Sequence, residues 1–131
     1  MYKNVSFKEI TDRRGSLVAL EQGTEIPFDM KRVYFIYGVG ADDRRGFHAH
    51  RNLKQLMVCV SGKCKVLLDD GGEKVVVSLN SPSKGITVNS MVWREMYDFS
   101  EGCVLMVVAD DIYRECDYIR DYELFQEELK E

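Results

Sequence analysis

Short β-rich runs closed by turn signals recur along this chain, and that rhythm leaves few architectures open. Residues 16–20 and 32–37 are rich in β-branched, aromatic or aliphatic side chains. Residues 55–60 run into Ser61-Gly62 and then into 63–68, which predicts a tight hairpin. Asp69-Asp70-Gly71-Gly72 turns the chain into 74–79, a second hairpin in succession. Further strands are expected at 86–88, 92–99 and 103–109, each bounded by Gly, Asn, Ser or Asp. The period changes only near the end. From about 117 to 130, Ile119, Tyr122, Leu124, Phe125 and Leu129 fall mostly three or four apart, as on one helix face. The expected fold is all-β, an antiparallel sandwich or barrel with a short C-terminal helix.

Composition narrows the function classes. At 131 residues, with two prolines (Pro27 and Pro82) and no Ser/Gly-rich linker or repeat, the chain reads as one domain, 1–131. Hydrophobic residues at 45% against 31% charged exclude a disordered chain. A formal net charge of -4 gives no bulk electrostatic reason to expect nucleic acid or an anionic membrane as partner. No apolar segment is long enough to cross a bilayer, and Met1-Tyr2-Lys3-Asn4-Val5 does not read as a signal peptide, so a cytoplasmic location is expected. The four cysteines, Cys59, Cys64, Cys103 and Cys116, contain no Cys-x-x-Cys pair. Three lie among apolar residues and read as buried free thiols acting as small hydrophobes.

The two histidines of the chain lie two residues apart, in Arg44-Arg45-Gly46-Phe47-His48-Ala49-His50. In an extended segment this spacing puts both imidazoles on one face, with Phe47 and Ala49 on the other. Such a pair binds a metal, performs acid–base chemistry, or sits idle on the surface. His48 and His50 followed by Gln55 and Gly62 resemble the first cupin motif, in which a metal-binding member carries a carboxylate where this chain has Gln55. After Pro82-Ser83-Lys84-Gly85, Val88 or Asn89 stands where a third imidazole would fall. Two imidazoles and an amide make a poor divalent-metal site, so no metal is expected and acid–base work is the better use. Arg44, Arg45, Arg51 and Lys54, with no acidic residue between 44 and 54, suit either phosphate oxygens or a solvated strand edge. Tyr34, Phe35, Tyr37, Trp93 and Tyr97 could stack a base or sugar, although alternate members of such strands face a core.

Several blocks together resemble the bacterial dTDP-4-keto-6-deoxyglucose 3,4-ketoisomerases. They are residues 12–21 (Asp12-Arg13-Arg14-Gly15 onward), Lys31-Arg32-Val33-Tyr34, Arg45-Gly46-Phe47-His48-Ala49-His50 and Val60-Ser61-Gly62. Leu67-Leu68-Asp69-Asp70-Gly71, Trp93-Arg94-Glu95-Met96 and Asp117-Tyr118-Ile119-Arg120-Asp121-Tyr122 complete the set, which spans about 5 to 126. The resemblance implies a cupin double-stranded β-helix that uses no metal or other cofactor. It also implies a homodimer with exchanged N-terminal strands, and a dTDP-linked 4-keto-6-deoxyhexose as substrate. The product would be the 3-keto sugar, for transamination into 3-amino-3,6-dideoxyhexoses of surface glycans.

By the same resemblance His48 is the base that takes the C3 proton and His50 helps shuttle or donate protons. Tyr37 and Arg45 are candidates for orienting or stabilising the sugar oxygens. Arg44, Arg51 or Lys54 are candidates for the diphosphate. Arg14, Arg94 and Trp93 stand in matching blocks as further substrate-binding candidates, the two arginines also for setting the C4 epimer, galacto or gluco. The chemistry agrees independently: moving a ketone from C4 to C3 through an enediol needs a base, an acid and charge stabilisation, and no redox group. The alternatives are a 3,5- or 5-epimerase of the same sugars, a non-catalytic sugar-nucleotide binder and, more remotely, a metal-dependent dioxygenase.

Overall fold

The computed structural model describes residues 1–131. Its strands are β1 (Tyr2–Ser6), β2 (Glu9–Asp12), β3 (Gly15–Val18), β4 (Arg32–Tyr37), β5 (Arg45–His50) and β6 (Gln55–Ser61). After them come β7 (Cys64–Asp69), β8 (Lys74–Leu79), β9 (Lys84–Val88), β10 (Trp93–Tyr97), β11 (Val104–Ala109) and β12 (Tyr118–Ile119), before the helix α1 (Tyr122–Leu129). Two five-stranded antiparallel sheets result, ordered β1-β9-β6-β11-β4 and β12-β5-β10-β7-β8, while β2 and β3 pair only with each other. From β4 to β7 each strand lies in the opposite sheet from its predecessor, and β8 to β11 alternate likewise. That winding is the double-stranded β-helix of the cupins.

Alternation explains which residues meet inside. Val66 and Leu68 of β7, Met96 of β10, Met57 of β6 and Leu105 and Val107 of β11 project from the two sheets into one shared core. Full burial of each aliphatic side chain stabilises the fold by roughly 1.5–3 kcal/mol.

Two segments depart from the sequence pattern. The chain from 55 to 68 is not a hairpin: β6 pairs with β9 and β11, while β7 pairs with β10 and β8. Leu56, Met57, Val58 and Cys59 are consecutive and all buried. A strand apolar on both faces belongs in the middle of a sheet, where both its edges are already taken. Ser61-Gly62-Lys63 therefore carries the chain across to the other sheet. The second hairpin, β7–β8, forms as expected.

The helix is also shorter than its periodicity. Asp121 caps it, accepting from the backbone N–H of Glu123 and Leu124, so α1 starts at Tyr122. Upstream, Tyr118 and Ile119 extend along β5, opposite His50 and Ala49. Ile119 keeps its apolar role there, buried with Ala49, Trp93 and Phe125 in a small cluster beneath α1 on the outer side of the sheet.

Candidate active site

β5 is shaped to aim two imidazoles inward. Its pairing with β10 slips between Arg94 and Glu95, and Gly46 and Phe47 at the slip both have positive φ, 95° and 56°. A Cβ on Gly46 would lie 2.8 Å from the carbonyl oxygen of Arg94, so the close approach demands glycine. Beyond the bulge the two-residue period resumes. His48 and His50 turn toward the interior with ring centroids 4.9 Å apart and planes at 82°. His48 is 9% exposed and His50 is fully buried. Ala49 faces the opposite way, into the cluster under α1.

Beneath the imidazoles lies Arg94, itself buried. Its guanidinium donates to the Gln55 side-chain oxygen and, at 2.9 Å, to the carbonyl of Val92. Gln55 in turn donates to the hydroxyl of Tyr34 at 3.0 Å. The Arg94 charge acts on both imidazoles, and the one amide that could join them as a ligand is already spent on Arg94 and Tyr34. The donor set does not suit a divalent metal.

Burial, then the charge of Arg94, lowers the His48 pKa from 6.5 to about 4. The same two causes, in the same order, lower that of His50 to about 2. Both imidazoles are therefore neutral at pH 7. His50 Nδ1 lies 3.0 Å from Asp117 Oδ2, and the other carboxylate oxygen accepts from the Asn52 backbone N–H. A neutral His50 donates from Nδ1 to that carboxylate, which leaves Nε2 as a lone-pair acceptor. The ring of Tyr118 packs against both imidazoles, 4.9 Å from His48 and 4.4 Å from His50.

Two cavities meet at this point. One, of about 400 Å³, is lined by His48, Arg32, Tyr34, Arg45, Tyr118 and Arg120 among others. The second, of about 290 Å³, is reached by His50 and Asp117 and shares Arg32 and Tyr118 with the first. Four buried side-chain nitrogens have no hydrogen-bond partner in the protein: His48 Nδ1, His50 Nε2, Arg32 Nε and Arg94 Nε. All four belong to this site. Buried polar atoms are paired almost everywhere in folded proteins, so their concentration here marks a ligand-binding surface.

Of the residues singled out in the sequence, the structure brings together His48, His50, Arg45 and Arg94. It sets the others apart. Tyr37 points outward from β4 and is 70% exposed, because β4 alternates and Arg32, Tyr34 and Ile36 take the inner face. Trp93 lies on the face of β10 opposite Arg94, packed against Tyr122 and Phe125, with its indole N–H on Glu95. Arg44 pairs with Glu95 and stacks on Tyr97. Arg51 is held by Glu128 and the carbonyls of Cys116 and Tyr118, a structural clamp between β5, β12 and α1. Lys54 lies outside both linings. Arg14 sits at the tip of the β2–β3 hairpin, exposed and paired with Asp12.

Sequence reasoning assigned no role to Arg32, Asp117, Tyr118 or Arg120. Arg120 is paired with Glu115 and lies over the Tyr118 ring at 4.2 Å, while Arg32 lies over Tyr34 at 5.3 Å. All four stand in the blocks that carried the family resemblance, which was the available signal.

Comparison with known proteins agrees with the geometry. Residues 1–130 match the family described as FdtA: WxcM-like, C-terminal. The chain is 51% identical, over 95% of its length and 89% of the relative's, to a TDP-4-oxo-6-deoxy-α-D-glucose-3,4-oxoisomerase of Aneurinibacillus thermoaerophilus. The crystal structure of a sugar 3,4-ketoisomerase from Thermoanaerobacterium thermosaccharolyticum in complex with TDP superposes with a TM-score of 0.96 at 44% identity, covering 98% of this chain and 94% of that one. A 3,4-ketoisomerase from Helicobacter canadensis gives a TM-score of 0.97 at 43% identity, covering 99% and 98%. With these relatives, this fold and a pair of neutral imidazoles set over a buried arginine, the chain belongs to the sugar-nucleotide 3,4-ketoisomerase family.

Proposed function

We propose that this protein moves the keto group of dTDP-4-keto-6-deoxyglucose from C4 to C3. The observation that carries the reading is the placement of His48 and His50, both neutral and with free ring nitrogens, against two adjoining cavities that share Arg32 and Tyr118. His48 takes the proton from C3, and the electron pair moves into a C3–C4 enediolate with negative charge on O4. Arg94, and Arg45 at the cavity wall, stabilise that charge. Proton transfer between the two oxygens and delivery of a proton to C4 then leave a ketone at C3 and a hydroxyl-bearing C4. His50, fixed by Asp117, supports the proton relay. No electrons leave the sugar, so the reaction needs no cofactor.

Arg32 and Arg120, which line the same cavity, suit the diphosphate, and the rings of Tyr34 and Tyr118 suit the sugar or base. The TDP complexes of relatives support the nucleotide. The protein acts in the cytoplasm, where sugar nucleotides are made, and no helix in it is long and apolar enough to cross a membrane.

The working form is a homodimer. The β2–β3 hairpin pairs with no other strand, and its Ile10 and Leu17 are 55% and 57% exposed. Beside it, Val18, Leu20, Val58, Val60 and Met106 line an apolar groove, and β4 leaves one edge of its sheet open with Val33, Phe35 and Tyr37 exposed. An exchanged N-terminal segment from a second copy would cover such surfaces.

The test is incubation with dTDP-4-keto-6-deoxyglucose in D2O, followed by NMR. Deuterium at C4 with the carbonyl at C3 is the expected result, and the C4 coupling gives the epimer. Exchange at C3 or C5 with the ketone still at C4 would make the protein an epimerase. Tight binding without exchange would make it a binder.

A further inference from the structure

At the far end of the barrel, three thiols converge. Cys59 lies on β6 four residues from Gln55, roughly 13 Å along the strand from the arginine–imidazole site. Cys64 opens β7 and Cys103 immediately precedes β11. All three are buried, at 0%, 2% and 3% exposure. The sulfurs lie within 4.8 Å of one another, and Cys59 Sγ to Cys103 Sγ is 3.4 Å. A metal–sulfur bond of about 2.3 Å in tetrahedral geometry separates two sulfurs by about 3.8 Å. The Cys59–Cys103 separation of 3.4 Å is slightly shorter than that value, and no pair lies beyond 4.8 Å, so small side-chain movements would reach it.

The backbone around the thiols is built to hold them there. Cys59 and Cys64 are separated by four residues across the Ser61-Gly62-Lys63 turn, within the Cys-x2–4-Cys spacing of structural zinc sites. Gly62 has φ +70°, and a Cβ there would meet Ser100 Oγ at 2.4 Å and Cys103 Cα at 3.0 Å. Lys63 N–H donates to Ser100 Oγ and Ser100 N–H donates back to Lys63 O, both at 2.9 Å, and Cys103 N–H donates to Ser100 O at 3.0 Å. The turn bearing two thiols is thus bolted to the loop bearing the third. The Ser61 carbonyl oxygen, 3.2 Å from Cys59 Sγ, stands close enough to serve as a fourth donor.

We propose that Cys59, Cys64 and Cys103 form a structural binding site for one thiophilic d10 dication of the zinc class, separate from the catalytic centre. Thiolates select such soft ions; on binding the three thiols give up their protons to solvent, and three thiolates around one dication leave a single net negative charge, with the Ser61 carbonyl adding none. A disulfide between Cys59 and Cys103 would leave the third, equally positioned thiol without a role. The ion would tie the β6–β7 crossover to the start of β11 and stabilise the closed end of the barrel.

The test adds ZnCl2 or CdCl2 to the reduced, metal-free full chain. One ion per chain should be retained through gel filtration, with a cadmium–thiolate charge-transfer band, a higher Tm and three sulfur neighbours at about 2.3 Å in zinc X-ray absorption. Cys64→Ser and Cys103→Ser should each weaken binding by more than about 100-fold, since even outer-shell changes cost 10–100-fold. Exposed Cys116→Ser should leave it unchanged. Ketoisomerase turnover should be the same with and without the ion. No retained ion, fewer than three sulfur neighbours in the unmutated protein, or loss of binding in Cys116→Ser would each overturn the site. So would peptide mapping that finds Cys59 joined to Cys103 in protein prepared without reductant. The X-ray absorption count needs no variant, so it decides the matter even if a substituted chain fails to fold.

Discussion

His48 and His50 differ in what surrounds them, and that difference sets distinct expectations. For His48→Asn, turnover should fall at least about 10²-fold, the lower range for losing a general base. TDP affinity by calorimetry should stay within a few-fold, because no diphosphate contact is assigned to that ring. Asp117→Asn removes the acceptor that fixes the His50 tautomer. The expected result is a 10–100-fold drop in kcat with KM nearly unchanged, comparable to losing an orienting partner of a metal-bound histidine.

The pH dependence follows from the lowered histidine pKa. A base must be neutral to act, so with His48 at about 4 the acid limb of kcat/KM should lie near pH 4, against 6.5 for an ordinary imidazole. Stability carries the same sign. Below pH 6.5 the unfolded chain binds protons that the folded His48 refuses, so that part of the stability is fully present above pH 6.5 and is lost as pH falls from 6.5 toward 4. The shift corresponds to roughly 3 kcal/mol at most, and urea denaturation at pH 7 and pH 5 should reveal the trend.

Among the elements, β5 is the one whose shape the chemistry depends on. Gly46→Ala would push a methyl group into the Arg94 carbonyl at a positive φ. It should cost about 1–3 kcal/mol and lower the Tm by several degrees, near 4 °C per kcal/mol for a chain this size. Turnover at a temperature where the variant is folded should also fall, because the bulge aims His48.

How far the site could be read in advance also follows element by element. His48 and His50 were legible because a two-residue period on one strand is local information. Arg94 was named, but not its burial beneath the imidazoles, which depends on the pairing of β5 with β10. Asp117 and Tyr118 reach His50 across 67 and 68 residues of sequence, a contact created only when β12 joins β5. The same limit explains the misread 55–68 segment: a Gly turn between two apolar runs looks like a hairpin until competing partners for both strands are known. Periodicity found the helix, but only the cap at Asp121 fixes where it begins.

For the whole molecule, the double-stranded β-helix supplies a box, and one end of it holds His48 and His50, the proposed proton-transfer pair. The exposed apolar surface on β4 and the β2–β3 hairpin belongs to the proposed dimer. Phe35→Glu combined with Leu17→Lys should shift the mass seen by analytical ultracentrifugation from two chains toward one, since charges on both surfaces would oppose burial. An unchanged dimer would place the interface elsewhere.

The pairing of β12 with β5 has a consequence for how the enzyme comes into being. His48 and His50 are made well before Asp117 and Tyr118, and Phe125 of α1, which backs β12 and Ala49, follows later still. A nascent chain can thus close most of its barrel while its imidazoles stay open to water and His50 lacks its tether. Competence in the proposed reaction waits until residues 117–125 have docked against β5, and a chain cut short before Asp117 should resemble the enzyme in fold while being inert toward its substrate.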